Sequence, residues 1–322
     1  MRVLVTGGAG FIGSHVVEAY LAAGHEVWAL DNLSRGRRER VPSAARFVEM
    51  DVRAPGLRDL LAEARVDCVN HHAAQIDVRQ SVADPAADAA VNILGSLNLL
   101  EAARSAGVPR CIFASTGGAI YGEPRRMPVD ETHPARPLSP YGVAKLAVEH
   151  YLDYYATVHS LRAVVLRYAN VYGPRQDPEG EAGVVAIFAG RLLRGEPLLI
   201  YGDGEQTRDY VFVGDVARAN VLALDWPGAR RPDAGRELPV FNIGTGVETS
   251  VNALASQLLQ AADQDSAIHH RPARLGEQAR SVIDAARARR LLGWEPRIGL
   301  PEGLRACLES MQPGLPALGA RA

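Results

Sequence analysis

Short apolar runs alternate with stretches of helical periodicity through the first half of the chain. RVLVT (2–6), HEVWAL (25–30), ARFVEM (45–50), VDCVN (66–70), RCIFAS (110–115) and RAVVLR (162–167) lack strict polar alternation. That is the pattern of parallel strands covered on both faces. Helices are predicted between them. One opens near Gly10 and ends at Ala23–Gly24, where glycine supplies a left-handed cap. Its buried face would carry Phe11, Ile12, Val16, Val17, Tyr20 and Leu21. A second runs from about Pro85 to Ala106, stopped by Gly107 and Pro109, and a third from about Pro140 to Thr157. This alternation predicts an α/β fold, a Rossmann-type doubly wound parallel sheet.

After residue 170 the rhythm breaks. GPRQDPEGEAG (173–183) reads as a loop, and helices are expected at about 184–194, 214–225, 250–262 and 301–310. The expected division is a sheet domain over 1–170, to which part of the later chain returns. A smaller C-terminal α/β region follows over 171–312, with a mobile tail over 313–322.

Composition narrows the classes. Lys plus Arg is 35 and Asp plus Glu is 37, a formal charge of −2. The run RGRRER (35–40) is a short solvated loop rather than a nucleic-acid patch. No apolar stretch reaches the ~20 residues of a membrane span. The chain runs directly into a strand with no charged leader, and Cys68, Cys111 and Cys307 are too scattered for a disulfide framework. A cytoplasmic protein is expected, with no nucleic-acid, membrane or metal partner.

Candidate chemistry lies at two places. The first is VTGGAGFIGSH, with Gly7, Gly10 and Gly13 between a strand and a helix. Small residues there let the backbone approach a pyrophosphate, and the helix N-terminus offers free N–H groups and a positive dipole end. Asp31 closes the second strand 18 residues after Gly13. A carboxylate there accepts ribose hydroxyls and repels a 2′-phosphate, which favours NAD, although Arg35, Arg37 and Arg38 follow closely. Asp51 and Val52, after the third strand, would flank the adenine.

The second place is SPYGVAK, where Tyr141 and Lys145 are one helical turn apart and project from one face. Free tyrosine titrates near pH 10, and a nearby cation favours its phenolate. The strand end FASTGGAIYGE (113–123) presents Ser115 or Thr116 to the same mouth. Either hydroxyl can share a proton in transit, and neither can abstract one from carbon.

These segments, with DNLSRG, NHHAAQIDVRQSV, LRYANVYGPRQDP, YGDGEQTRDYVFVGDVA and FNIGTG, resemble the extended short-chain dehydrogenase/reductases. Within them the likeness is to the NAD-dependent sugar-nucleotide epimerase/dehydratase family, over about residues 1 to 310. The resemblance implies a catalytic set of Tyr141, Lys145 and Thr116, with Ser115 second. It implies tightly bound NAD on Gly7, Gly10, Phe11, Ile12, Gly13, Asp31, Asn32, Ser34, Arg35, Gly36, Asp51 and Val52. Ala73, Ala74 and Gln75 would lie along the cofactor, with Asn92 beneath and Tyr168 near the nicotinamide or simply in the core.

For substrate it implies Thr116, Tyr141, Asn170, Val184, Val185, Tyr201, Arg208, Arg274, Glu277 and Ser281. The arginines would grip a diphosphate through bidentate contacts. Family members that dehydrate carry an acidic pair after the strand-end threonine; here Gly117 and Gly118 follow. The implied reaction is therefore inversion of carbon 4 of a UDP-hexose such as UDP-glucose or UDP-galactose, through a transient 4-keto sugar. A small Ser281 implies room for an N-acetyl group. A homodimer through a four-helix bundle of the 85–106 and 140–157 helices is also implied. The alternatives are a UDP-glucuronate 4-epimerase, with Arg175 or Arg79 on the sugar carboxylate; a 4-keto reductase; or a non-catalytic NAD-binding protein.

Overall fold

The computed structural model describes residues 1–178, 183–226, 238–273 and 278–311; the tail at 313–322 lies outside them. The first half contains β1 (Arg2–Thr6), α1 (Phe11–Ala22), β2 (Glu26–Asp31), β3 (Arg46–Glu49), α2 (Leu57–Glu63), β4 (Cys68–His71), α3 (Val78–Ala83), α4 (Pro85–Ala89), α5 (Gly95–Ser105), β5 (Arg110–Thr116), α6 (Pro140–His159) and β6 (Arg162–Tyr168). The second contains β7 (Asn170–Tyr172), α7 (Val184–Leu193), β8 (Leu198–Tyr201), β9 (Thr207–Arg208), β10 (Tyr210–Phe212), α8 (Val213–Asp225), β11 (Val240–Ile243), β12 (Thr249–Ser250), α9 (Val251–Ala262), β13 (Ile268–Arg271), β14 (Arg280–Ser281), α10 (Ala286–Leu292) and α11 (Leu300–Met311).

Seven parallel strands form one sheet in the order β3-β2-β1-β4-β5-β6-β11. The order reverses between β1 and β4, which opens a crevice beyond the carboxyl ends of the strands. Thr6 pairs with His71 and Thr116 with Tyr168, so these ends share one edge. Val3, Leu4 and Val5 of β1 are fully buried, with α1 and α8 on one face and α2 and α5 on the other. β3 departs from the two-sided burial expected of it: it is the edge strand, and Arg46 and Glu49 are exposed.

The helix predicted over 85–106 is interrupted. Asp84 caps α4 by accepting from Ala87 N, with Pro85 in its first turn. Residues Ala90–Leu94 then form a π turn before α5. Such bulges recur at functional sites. The preceding α3 is capped by Asp77, which accepts from Gln80 N. After β6, the elements α7, β8, α9 and α11 enclose a second core around Phe188, Leu198, Leu254, Leu258 and Leu304.

Candidate functional site

The glycine turn is tight because side chains would not fit. Gly7 has φ +67°, and a Cβ there would meet Ala73 N at 2.8 Å, so the turn touches the loop after β4. A Cβ on Gly13 would fall 2.0 Å from Gly7 O. Gly10 caps α1 with no side-chain bond, and its own N–H donates to Gly7 O at 3.0 Å. The first N–H groups of α1 thus face the crevice without a capping side chain. Phe11 and Ile12 are half-buried, so the buried face of α1 is narrower than the periodicity implied.

Asp31 is buried, and burial pushes its carboxyl above the usual range, opposed by hydrogen bonds from Leu33 N to Oδ1 (2.9 Å) and Ala9 N to Oδ2 (3.0 Å). Gly36 passes directly over it; a Cβ would lie 2.6 Å from Oδ1. Asn32 donates to Asp51 Oδ2 at 2.8 Å and accepts from Ser34 Oγ at 2.7 Å. The Arg53 guanidinium holds Asp51 well below the usual carboxylate range. Val52 is buried beneath, and Arg35 reaches Gln80 Oε1 at 3.5 Å. A side-chain-free helix N-terminus with a carboxylate at the next strand end fits a dinucleotide's pyrophosphate and adenosine ribose.

Beyond β4, Ala73 borders the glycine turn, and Ala74 and Gln75 follow it in the chain. Asn92, in the π turn, accepts from Gln75 N and donates to Gln75 O, both at 2.9 Å, which fixes this loop.

The helix α6 starts where Ser139 accepts from Gly142 N and Pro140 opens the first turn. A Cβ on Gly142 would meet Ala119 O at 2.8 Å, so the loop after β5 rests on the start of α6. Lys145 is buried; its Nζ donates to Ala114 O at 2.9 Å and lies 4.7 Å from the Phe113 ring centre and 5.9 Å from that of Tyr141. Burial lowers its pKa from 10.5 to about 8, against the opposing charges of Asp88 and then Glu149. Lys145 is also the only lysine in the chain.

The two strand-end hydroxyls separate. Strand alternation turns Ser115 away from Thr116. Ser115 is buried and donates to Glu149 Oε1 at 2.6 Å. Glu149 is in turn held by Arg167 through Nε (3.0 Å) and Nη2 (2.5 Å), and Arg167 Nη1 donates to Tyr121 OH at 2.9 Å. Ser115 therefore belongs to an internal ion-pair network. Thr116 is half-buried, with Oγ1 beside Gly118, where a Cβ would lie 3.8 Å from it and 3.6 Å from Asn170 Oδ1. Asn170 Oδ1 is buried and accepts no hydrogen bond among the described residues. At Gly117 a Cβ would meet Ile283 Cδ1 at 2.8 Å, so a side chain there would require the end of Ile283 to shift.

Tyr168 is buried, stacked on His72 (ring centres 6.0 Å apart) and bonded through its hydroxyl to Asn220 at 2.9 Å. Burial raises its phenol far above the ordinary value. On the substrate side, Arg208 and Ser281 are register partners in adjacent short strands, and Ser281 is buried. Val185 lies in the second core, Val184 packs against it, and Tyr201 ends β8. Arg274 and Glu277 lie outside the described residues. Arg175 is turned to α1, donating to Ser14 Oγ (3.1 Å) and Glu18 Oε1 (2.5 Å), and the exposed Arg79 pairs with Asp77 at 3.8 Å.

Sequence reading missed Asp88, Glu149 and Arg167. Glu149 was within reach: it repeats the four-residue step from Tyr141 through Lys145, and so shares their helix face.

Comparison with known proteins gives one consistent neighbourhood. The profile of the NAD dependent epimerase/dehydratase family matches residues 3–244. UDP-glucose 4-epimerase of Mycolicibacterium smegmatis is 47% identical over 314 residues, 96% of this chain and 98% of that one. Among solved structures, UDP-glucose 4-epimerase of Thermotoga maritima with UDP-glucose has TM-score 0.91 and 48% identity, covering 96% of this chain and 98% of that chain. The Thermus thermophilus UDP-glucose 4-epimerase in complex with NAD has TM-score 0.90 and 47% identity, covering 98% and 100%.

Proposed function

The chain belongs to the NAD dependent epimerase/dehydratase family, and from that premise we propose that it is an NAD-dependent 4-epimerase of UDP-sugars, interconverting UDP-glucose and UDP-galactose. What supports this reading is Tyr141 and Lys145 one turn apart on α6, Lys145 Nζ 5.9 Å from the Tyr141 ring centre and bonded to Ala114 O of β5, the strand that ends in Thr116, with no carboxylate directly after Thr116.

Tyr141 as phenolate takes the proton of the sugar 4-hydroxyl, and Thr116 shares it. The Lys145 ammonium favours the phenolate by charge, its proximity and burial strengthening the effect. A bound NAD would supply the hydride acceptor and donor that inversion at carbon 4 requires. Gly7, Gly10, Gly13 and Asp31 hold that cofactor, with the Asn92-braced loop along it. Arg208 and Arg274 grip the nucleotide diphosphate, Glu277 accepts from the uridine ribose, and the hexose is held loosely enough to turn over. Gly117 and Gly118 follow Thr116, so neither position supplies the carboxylate that dehydration uses.

A small Ser281 beside Arg208 leaves room for an N-acetyl group, so UDP-N-acetylglucosamine is a further substrate. Ser281→Tyr should abolish that activity and spare UDP-glucose; undiminished N-acetyl turnover would refute the gate. The glucuronate alternative has less support, since Arg175 and Arg79 are both engaged with acidic partners.

We further propose a cytoplasmic homodimer in galactose metabolism. No helix among the described residues is long and apolar enough to cross a membrane. Val82, Val143, Tyr151, Tyr154 and Val158 are exposed on α3 and α6. That is an apolar face a second copy would cover. Light scattering should give twice the 34.5 kDa chain mass, reduced to one by Val82→Glu with Tyr154→Glu.

The experiment for the activity incubates purified protein with UDP-glucose, UDP-glucuronate and UDP-N-acetylglucosamine without added NAD. Turnover of the first supports the reading. Turnover of glucuronate alone, or a stoichiometric need for NADPH, overturns it.

A further inference from the structure

No motif points to Asp88, yet it is almost wholly buried against the loop after β4 and the π turn. Its Oδ1 accepts from Gln75 Nε2 and from Asn92 Nδ2, both at 2.9 Å. Its Oδ2 is buried and accepts no hydrogen bond among the described residues. One carboxylate oxygen therefore ties the loop after β4 to the π turn, the two pieces that border the cofactor crevice. Burial raises the Asp88 carboxyl above its usual range, and the bonds from Asn92 and Gln75 and the charge of Lys145 oppose the rise.

Both α4 and the π turn pack on α6. The ionisable groups facing Lys145 come from several elements. Glu149, one turn along α6, is neutralised by its bidentate pair with Arg167 of β6. His71 and His72, at the end of β4, are driven to about 3 chiefly by burial and stay uncharged at neutral pH. Tyr141 lies one turn back. Asp88 is the acid that most opposes the loss of the Lys145 proton, and among the described residues it has no cationic partner in contact.

We propose that Asp88 is a positioning residue: its Oδ1 holds the Gln75 loop and Asn92 together, and its carboxylate is the counter-charge of Lys145. The proposal rests on reading Lys145 as the active-site cation. Neutralising Asp88 should let the lysine shed its proton at lower pH and withdraw the charge that favours the Tyr141 phenolate.

The chain's single lysine makes this directly measurable. Protein labelled with 13C at the lysine ε-carbon gives one side-chain lysine resonance, whose shift reports its protonation. In the NAD-loaded enzyme, Asp88→Asn should lower the titration midpoint by about one pH unit, and the alkaline limb of kcat should move with it. Asn92→Ala keeps the carboxylate but cuts the tie, so it should release NAD faster and leave the midpoint in place. Should Asp88→Asn lack the native circular-dichroism spectrum, Asp88→Ser replaces it. An unmoved midpoint in a folded charge-deleting variant overturns the proposal, as does an equal shift in Asn92→Ala. Tyr141→Phe separates the two claims: if it still epimerises, the catalytic reading falls while the lysine titration continues to test Asp88.

Discussion

Replacing Ser115 and Thr116 in turn by alanine should split stability from catalysis between two adjacent hydroxyls. Ser115 donates at 2.6 Å to a carboxylate that is itself buried and paired with Arg167. A hydrogen bond to a charged group is worth about 1.5–3 kcal/mol, and its loss leaves Glu149 one donor short. Ser115→Ala should therefore cost about 2 kcal/mol and leave kcat within about twofold, since the hydroxyl touches no reacting atom. Thr116 lies on the crevice side, beside Gly118 and Asn170 Oδ1. Thr116→Ala should leave stability within about 1 kcal/mol and lower kcat about 100-fold, the scale of a lost proton-sharing group. Urea unfolding at unchanged slope reads the first quantity, and a coupled assay for UDP-glucose formed from UDP-galactose reads the second. A Ser115→Ala enzyme of wild-type stability and crippled turnover would refute the assignment.

Lys145→Met combined with Asp88→Asn should be inactive but more stable than wild type at pH 7, by about 1–3 kcal/mol, because it removes a buried cation together with its counter-charge. The folded pKa lies near 8 and the ordinary value is 10.5. The folded state therefore bears the full penalty below pH 8 and sheds it between pH 8 and 10.5; a 2.5-unit depression corresponds to about 3 kcal/mol. The advantage of the variant should shrink over that window in paired urea titrations; an advantage constant from pH 7 to 10 would contradict the lysine's perturbation. Arg167→Met leaves Glu149 buried without its cation and should cost about 3–5 kcal/mol, most of it regained with Glu149→Leu. A single variant costing under about 1 kcal/mol would show that the pair does not anchor α6.

The sheet was legible because central parallel strands are apolar on both faces, and β1, β5 and β6 carry that signal most clearly. β11 escaped the strand reading because VFNI is only four residues and follows a polar, proline-containing stretch. The glycine turn and the Tyr141–Lys145 step were readable as local spacing on defined elements. The π turn was not, since its residues keep helical composition and differ only in hydrogen-bond step. Ser115 and Thr116 look alike in sequence; only the pleat and a glutamate 34 residues away distinguish them. Asp88 is invisible for the same reason, because its partners Gln75 and Asn92 reach it from a loop and from the π turn.

The account's central claim is that carbon 4 of the sugar loses and regains the same hydrogen without exchange with water. Supplying UDP-galactose deuterated at carbon 4 to the purified holoenzyme, and following the product by NMR, tests this most directly. The expected product is UDP-glucose with the deuterium retained at carbon 4, formed without added NAD. Product carrying solvent hydrogen at that carbon would contradict it.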